Sequence, residues 1–171
     1  MLRFGGESAR RRRTGSRYEM ESLNKSRRQI GPCALGMGKL AFEMAVEHTK
    51  NRTTSSQTLA ENQFVQHMPA NASMDMHASW LMLIDAATRL DKGEDASAVW
   101  PKVYIFRSEA AGRVVDTGVQ LLGTARYSRC VKIERLYRDG RLMRIYGGRR
   151  RLSVSPWLEN YCPINVRNTC I

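Results

Sequence analysis

Three apolar stripes at helical spacing, joined by short polar connections, constrain this chain more than any other feature. Such stripes are stable only when helices cover one another. Ile30, Ala34, Met37, Ala41, Met44 and Ala45 recur mostly at intervals of three and four, with Lys39, Glu43 and Glu47 between them. This predicts an amphipathic helix ending near Arg52, its first turns weakened by Gly31, Pro32, Gly36 and Gly38. After the polar connection from Thr53 to Gln57, a second helix begins near Leu59. Its stripe is Val65, Met68, Ala72, Met76, Trp80, Leu83, Ala87 and Leu90, and the glycine-containing loop from Asp91 to Asp95 ends it. Pro69 predicts a kink, because proline lacks the backbone donor and crowds the preceding turn. A third helix opens at or just before Pro101, runs through Val103, Phe106, Ala110, Val114, Thr117 and Leu121, and stops at Gly123. A shorter fourth, from about Val131 to Tyr146, carries Leu136, Tyr137, Met143 and Tyr146 among five basic side chains.

No period-two pattern competes. The expected fold is all-α: an antiparallel four-helix bundle over residues 29–146. The methionines Met68, Met74, Met76 and Met82 read as core filling. Residues 1–28 lack periodicity, include Gly5, Gly6, Gly15 and the run Arg10–Arg13, and read as a mostly disordered basic arm. Residues 147–171 contain Pro156 and Pro163 without period and read as an irregular tail.

Charge is distributed unevenly. The net charge of +12 arises from +6 in residues 1–28 and +8 in residues 126–151, leaving the rest at −2. Nucleic acid is therefore a candidate partner for the two basic segments alone. No run approaches the ~20 apolar residues of a membrane span, and no apolar segment follows Arg10–Arg13 as a secretory signal requires. A cytoplasmic or mitochondrial-matrix location is expected rather than secretion. Cys33, Cys130, Cys162 and Cys170 form no CxxC pair, and three histidines include no HExxH, so neither a metal site nor a disulfide framework is expected.

One constellation is more specific. Arg52, Gln63, Val119–Gln120–Leu121–Leu122–Gly123, Tyr127, Glu134–Arg135–Leu136–Tyr137–Arg138–Asp139, Arg141 and Ile145–Tyr146 stand at a spacing that resembles the C-terminal helical domain of the acyl-CoA dehydrogenases. The resemblance covers about residues 24–152. It implies FAD-dependent α,β-dehydrogenation of acyl-CoA thioesters in fatty acid metabolism. A glutamate takes the α-proton and flavin accepts the β-hydrogen. It also implies a homo-oligomer, dimer or tetramer, formed through the helical bundle. By this resemblance, Arg52 meets the FAD diphosphate of a partner subunit, Thr54 and Gln63 match further contacts there, and Gln120, Gly123 and Gly148 match cofactor-binding positions. Arg27 or Arg28 matches a basic position near the acyl-CoA.

The departures bear on activity. The family's R-x-T-F-G is here Arg52–Thr53–Thr54–Ser55–Ser56, and the second glycine of its Q-x-x-G-G is Thr124. Its I-Y-E-G-T-S-E is Ile145–Tyr146–Gly147–Gly148–Arg149–Arg150–Arg151, so the usual base position is Gly147. The alternative base position, on the first helix of the domain, is Ser26. Neither has a carboxylate, which predicts that the chain alone is not catalytic. Deleting the A of the first codon in GAG GGG ACG TCG GAG ATT A gives codons for Gly-Gly-Arg-Arg-Arg-Leu, the residues from Gly147 to Leu152. A frame shift at Gly147 is therefore expected. If restoring one base at that codon gives no helix-patterned continuation, the frame shift is excluded. Two other functions compete: a basic nucleic-acid-binding helical protein, and a noncatalytic subunit paired with a full-length homologue.

Overall fold

The computed structural model describes residues 7–96, 98–124, 128–129 and 131–146. Tyr127, Gly147, Gly148 and the expected tail lie outside them. The elements in chain order are α1 (Glu7–Asn51), β1 (Thr53–Thr54), β2 (Gln57–Thr58), a 3₁₀ turn (Leu59–Glu61), α2 (Gln63–Asp91), α3 (Val99–Leu122) and α4 (Lys132–Tyr146).

The helices run up, down, up and down. On α3, Arg107 meets α1 at Gly31, Ala111 meets it at Gly38 and Gly118 at Ala41, so these two helices are parallel. Asp75 of α2 reaches Arg113 of α3 while Ala86 clusters with Val103, and Tyr104 of α3 reaches Met143 of α4 while Gly118 faces Ile133, so these neighbours run antiparallel. This is the expected four-helix bundle. Helix α3 is its centre and packs on all three others, which explains its long buried list, from Trp100 and Val103 through Val114 and Val115 to Leu122. Burying each large apolar side chain contributes about 1.5–3 kcal/mol.

The stripes of α1 and α3 face the core largely as expected: Ile30, Ala34, Ala41, Ala45, Val103, Ala110, Val114 and Leu121 are buried. That of α2 does not. Its buried residues are Ala72, Ser79 and Ala86, one every seven positions, while Trp80 is 51% and Leu90 40% exposed. Small side chains let α2 approach α3, and the larger apolar ones flank that seam. Among the methionines, Met68, Met76 and Met82 are half-buried and Met74 is exposed, so core filling describes the stripe only in part.

Two boundaries differ from expectation. Helix α1 begins at Glu7 rather than near Ile30, so residues 7–28, expected to be an arm, are helical. Periodicity detects a buried face, not helicity. Residues 7–28 are rich in Arg and include Glu7, Glu19 and Glu21, residue types that favour helix without any stripe. The connection after α1 is a hairpin too short to display alternation: Thr53 pairs with Thr58 and Thr54 with Gln57. Its 3₁₀ turn displaces the start of α2 to Gln63, where Asn62 caps the helix by accepting a 2.9 Å bond from the Phe64 amide.

The hairpin turn is Ser55–Ser56, with φ of 53° and 68°. Two-residue turns of this hand favour glycine, since a Cβ crowds the left-handed conformation. Ser56→Gly is expected to stabilise the protein by about 1 kcal/mol. A urea titration reads this as a higher midpoint with unchanged slope, and an unchanged midpoint refutes it.

Candidate functional site

Because α1 and α3 are parallel, the C-terminus of α1, the N-terminus of α2 and the C-terminus of α3 share one end of the bundle. Arg52 is the first residue past α1, held by a 2.9 Å bond from its amide to the His48 carbonyl and a 2.8 Å bond from the Leu59 amide to its own carbonyl. Its side chain is exposed, and no ion pair binds it among the described residues. Thr54 is on β1 and exposed; Gln63 is the first residue of α2 and exposed. There the helix macrodipole favours negative charge. Gln120 is exposed in the last turn of α3, and Gly123 caps that helix with φ of +73° and a 3.1 Å bond from its amide to the Val119 carbonyl. A Cβ at Gly123 would meet nothing within 4 Å, so this stretch of backbone is open to an approaching group. Beneath this end lies a cluster of Ala41, Ala45, Val115, Leu121, Leu122 and Ile133, which fixes the relative height of the helix ends.

Arg27 and Arg28 do not belong to this end. They lie about 36 Å before Arg52 along α1, at ~1.5 Å per residue. The opposite end holds a second set. Arg27 is buried and interacts electrostatically with Tyr104, whose hydroxyl donates a 3.0 Å bond to the Met143 carbonyl of α4. Burial lowers the Arg27 pKa, partly offset by Tyr104. The Arg28 guanidinium stands 5.6 Å over the Trp100 ring. Ser26, the alternative base position, donates a 3.0 Å bond to the Ser22 carbonyl, a helix-internal use of its hydroxyl. Thus the residues expected to touch cofactor and those expected to touch acyl-CoA form two groups at opposite ends. No single small ligand spans both on one chain.

The basic side chains of α4 are largely consumed within the fold. Arg138 forms a 2.9 Å bond to Glu134, Arg135 approaches Asp139 at 3.5 Å, and Arg144 binds Glu109 of α3. Arg113 reaches Asp75 through two bonds of 2.7 and 2.8 Å, tying α3 to α2. Hydrogen bonds to their carboxylates raise the pKa values of Arg113 and Arg138. Between α3 and α4 a cleft of about 170 Å³ is lined by Glu109, Arg113, Asp116, Tyr137 and Arg141, mixed in charge rather than uniformly cationic.

The sequence did not point to Arg107. It is 1% exposed, on the face of α3 shared by Trp100 and Tyr104. The available signal was its place on the line Trp100, Tyr104, Arg107, Ala111, at intervals of four, three and four, where a charge is out of character.

Among the described residues no group of three or more His, Cys, Asp or Glu could hold a metal ion, and no helix is long and apolar enough to cross a membrane.

Comparison with known proteins agrees with this architecture. Residues 13–153 match the family described as acyl-CoA dehydrogenase, C-terminal domain. The chain is 32% identical over 140 residues to a probable acyl-CoA dehydrogenase of Mycobacterium tuberculosis, covering 81% of this chain and 36% of that protein. It is 35% identical over 129 residues to a 3-sulfinopropanoyl-CoA desulfinase of Advenella mimigardefordensis, covering 75% and 32%. The structure is similar to butyryl-CoA dehydrogenase from Megasphaera elsdenii, with a TM-score of 0.76 and 26% identity over 80% of this chain and 36% of that one. The chain spans about a third of the length of these relatives. Family match, identity and fold converge: the chain belongs to the acyl-CoA dehydrogenase family, and what it contains is the family's C-terminal helical domain.

Proposed function

We propose that this chain is the helical part of an FAD-dependent acyl-CoA dehydrogenase assembly and contributes binding groups rather than the catalytic base. Members of the family are FAD-dependent dehydrogenases. The observation that carries the proposal is the convergence of Arg52, Gln63, Gln120 and Gly123 on one end of the bundle, away from Arg27 and Arg28. The donor set suits the diphosphate and adenine end of the cofactor. Arg52 offers a fork that matches phosphate oxygens, Gln63 stands at the positive end of α2, and Gly123 leaves its backbone open. Thr54 and Gly148 complete the set by family position. When bound, FAD supplies the hydride acceptor.

The chain's own residues orient and neutralise. Arg52 holds anionic oxygens, and Arg27 or Arg28 places positive charge near the acyl-CoA. Ser26 and Gly147 provide no carboxylate to take a proton, so the chain acts with a full-length homologue that supplies the base, as a noncatalytic subunit. Exposed Trp80, Leu81 and Ile84 on α2, with Leu142 and Ile145 on α4, support self-association or such pairing. Ion pairing of Arg135, Arg138 and Arg144 weighs against α4 as a nucleic-acid surface.

The test is flavin retention by the purified chain, alone and mixed with a full-length family member. Blue visible absorbance should co-elute with the chain in at least one of these. Arg52→Ala should weaken retention by about tenfold or more, the scale of a lost charged hydrogen bond. Equal retention by Arg52→Ala refutes the cofactor role. Absence of flavin, together with DNA retention that disappears at moderate salt, would support the nucleic-acid reading instead.

A further inference from the structure

Helices α1 and α3 meet at the end opposite Arg52 through a group of side chains that only donate. Among the described residues the Nε, Nη1 and Nη2 atoms of Arg107 are buried without a hydrogen-bond partner, as are the Arg28 Nε and the Trp100 indole Nε1. Guanidinium and indole nitrogens have no acceptor capacity, so they cannot satisfy one another. The guanidinium of Arg107 occupies the space over Gly31, where any Cβ would collide with Nη1. The position is fitted to this side chain. Burial pushes the Arg107 pKa down to about 10, with no carboxylate among the causes, so it remains cationic at neutral pH. A buried cation with no counter-charge is costly, and its complement is an anion with at least two acceptor oxygens. Pro32 lacks the N–H that would bond the Arg28 carbonyl, so α1 is locally weakened where it covers Arg107.

We propose that Arg107, Arg28 and the Trp100 indole form a binding site for a carboxylate-class oxyanion between α1 and α3, with Arg107 as the bidentate partner. Arg28 is shared with the acyl-CoA reading above, whereas Arg107 and Trp100 are not, and the site requires neither flavin nor the rest of the enzyme. The oxyanion has two possible sources, a small carboxylate or an Asp or Glu side chain of a polypeptide packed on this end.

Thermal melting of the full chain without flavin or acyl-CoA tests the site. Sodium succinate, sodium acetate and a glutamate-rich peptide are each compared with sodium chloride at matched ionic strength. At least one carboxylate should raise the melting temperature by about 4 °C at ten times its Kd. Arg107→Met should abolish the shift, and Arg107→Lys, which keeps the charge but loses the fork, should reduce it. Arg52→Ala should leave it intact. A response to the small carboxylates assigns the first source, and a response to the peptide alone assigns the second. No shift with any probe, or the same shift in Arg107→Met, overturns the proposal. A failure of flavin retention leaves this result untouched, so the two readings fail separately.

Discussion

Arg107→Met is expected to raise the melting temperature by about 6 °C in a chloride buffer free of carboxylates, corresponding to about 2 kcal/mol. The reason is electrostatic. Three guanidinium nitrogens are buried without acceptors among the described residues, and replacing buried charge by an apolar chain of similar length commonly stabilises by about 1–4 kcal/mol. Methionine also replaces the arginine stem with an unbranched apolar chain. Deprotonation gives the wild type no relief near neutrality. Burial lowers the folded pKa to about 10, so the destabilisation is fully present below about 10 and fades only as pH rises above it. The gap between variant and wild type should therefore stay constant from about pH 6 to 9 when followed by calorimetry. A lower melting temperature for Arg107→Met would mean that the guanidinium has an acceptor and helps to hold the fold.

The second large effect is expected where three helices meet. Ile133 of α4 is fully buried, and its Cδ1 would stand 3.2 Å from a Cβ built on Gly118 of α3, while the Ala41 carbonyl of α1 would stand 3.3 Å away. Ile133→Ala should cost about 3 kcal/mol, because the removed methyl groups lose their transfer energy and the close-packed backbones cannot collapse to fill the void. Gly118→Leu should cost at least as much by the opposite route, forcing α3 away from α1. Chemical denaturation checks both. Gly118→Ala with Ile133→Val should cost less than the sum of the two singles, since the smaller side chain opens space for the new methyl group. The relief is incomplete because the Ala41 carbonyl is backbone and cannot turn aside. Strict additivity would show that the two residues do not share this space.

Different parts of the fold were legible for different reasons. The stripes of α1 and α3 could be read because each helix is covered on a broad face, so apolar residues at three- and four-residue spacing mark the buried side. Gly123 was recognisable as a stop because its left-handed backbone is a local requirement. The seam of α2 was not readable from hydrophobicity, since Ala72, Ser79 and Ala86 are small or polar and matter by being small. Trp80 dominated the pattern and turned out to be half exposed. Residues 7–28 offered no stripe and yet are helical, because local propensity needs no partner face.

The candidate site divides in the same way. The spacing of Arg52, Gln63, Gln120 and Gly123 identified the family, but spacing alone does not show that residues so far apart in the chain share an end. That follows from the parallel course of α1 and α3. Arg107 was passed over because a charge on a stripe is ordinarily a surface residue, and its burial comes from α1, far away in sequence.

The sequence by itself determined the number of long helices, where three of them stop, and the family to which the pattern belongs. These depend on forces acting within a few residues: side-chain spacing along one helix, turn chemistry and caps. Tertiary structure alone decided that Arg107 lies inside, that small residues carry the α2 seam, and that Arg52 stands at the opposite end of the bundle from Arg27 and Arg28. Burial and proximity are set by surfaces arriving from remote segments, and no local pattern records which surface will arrive.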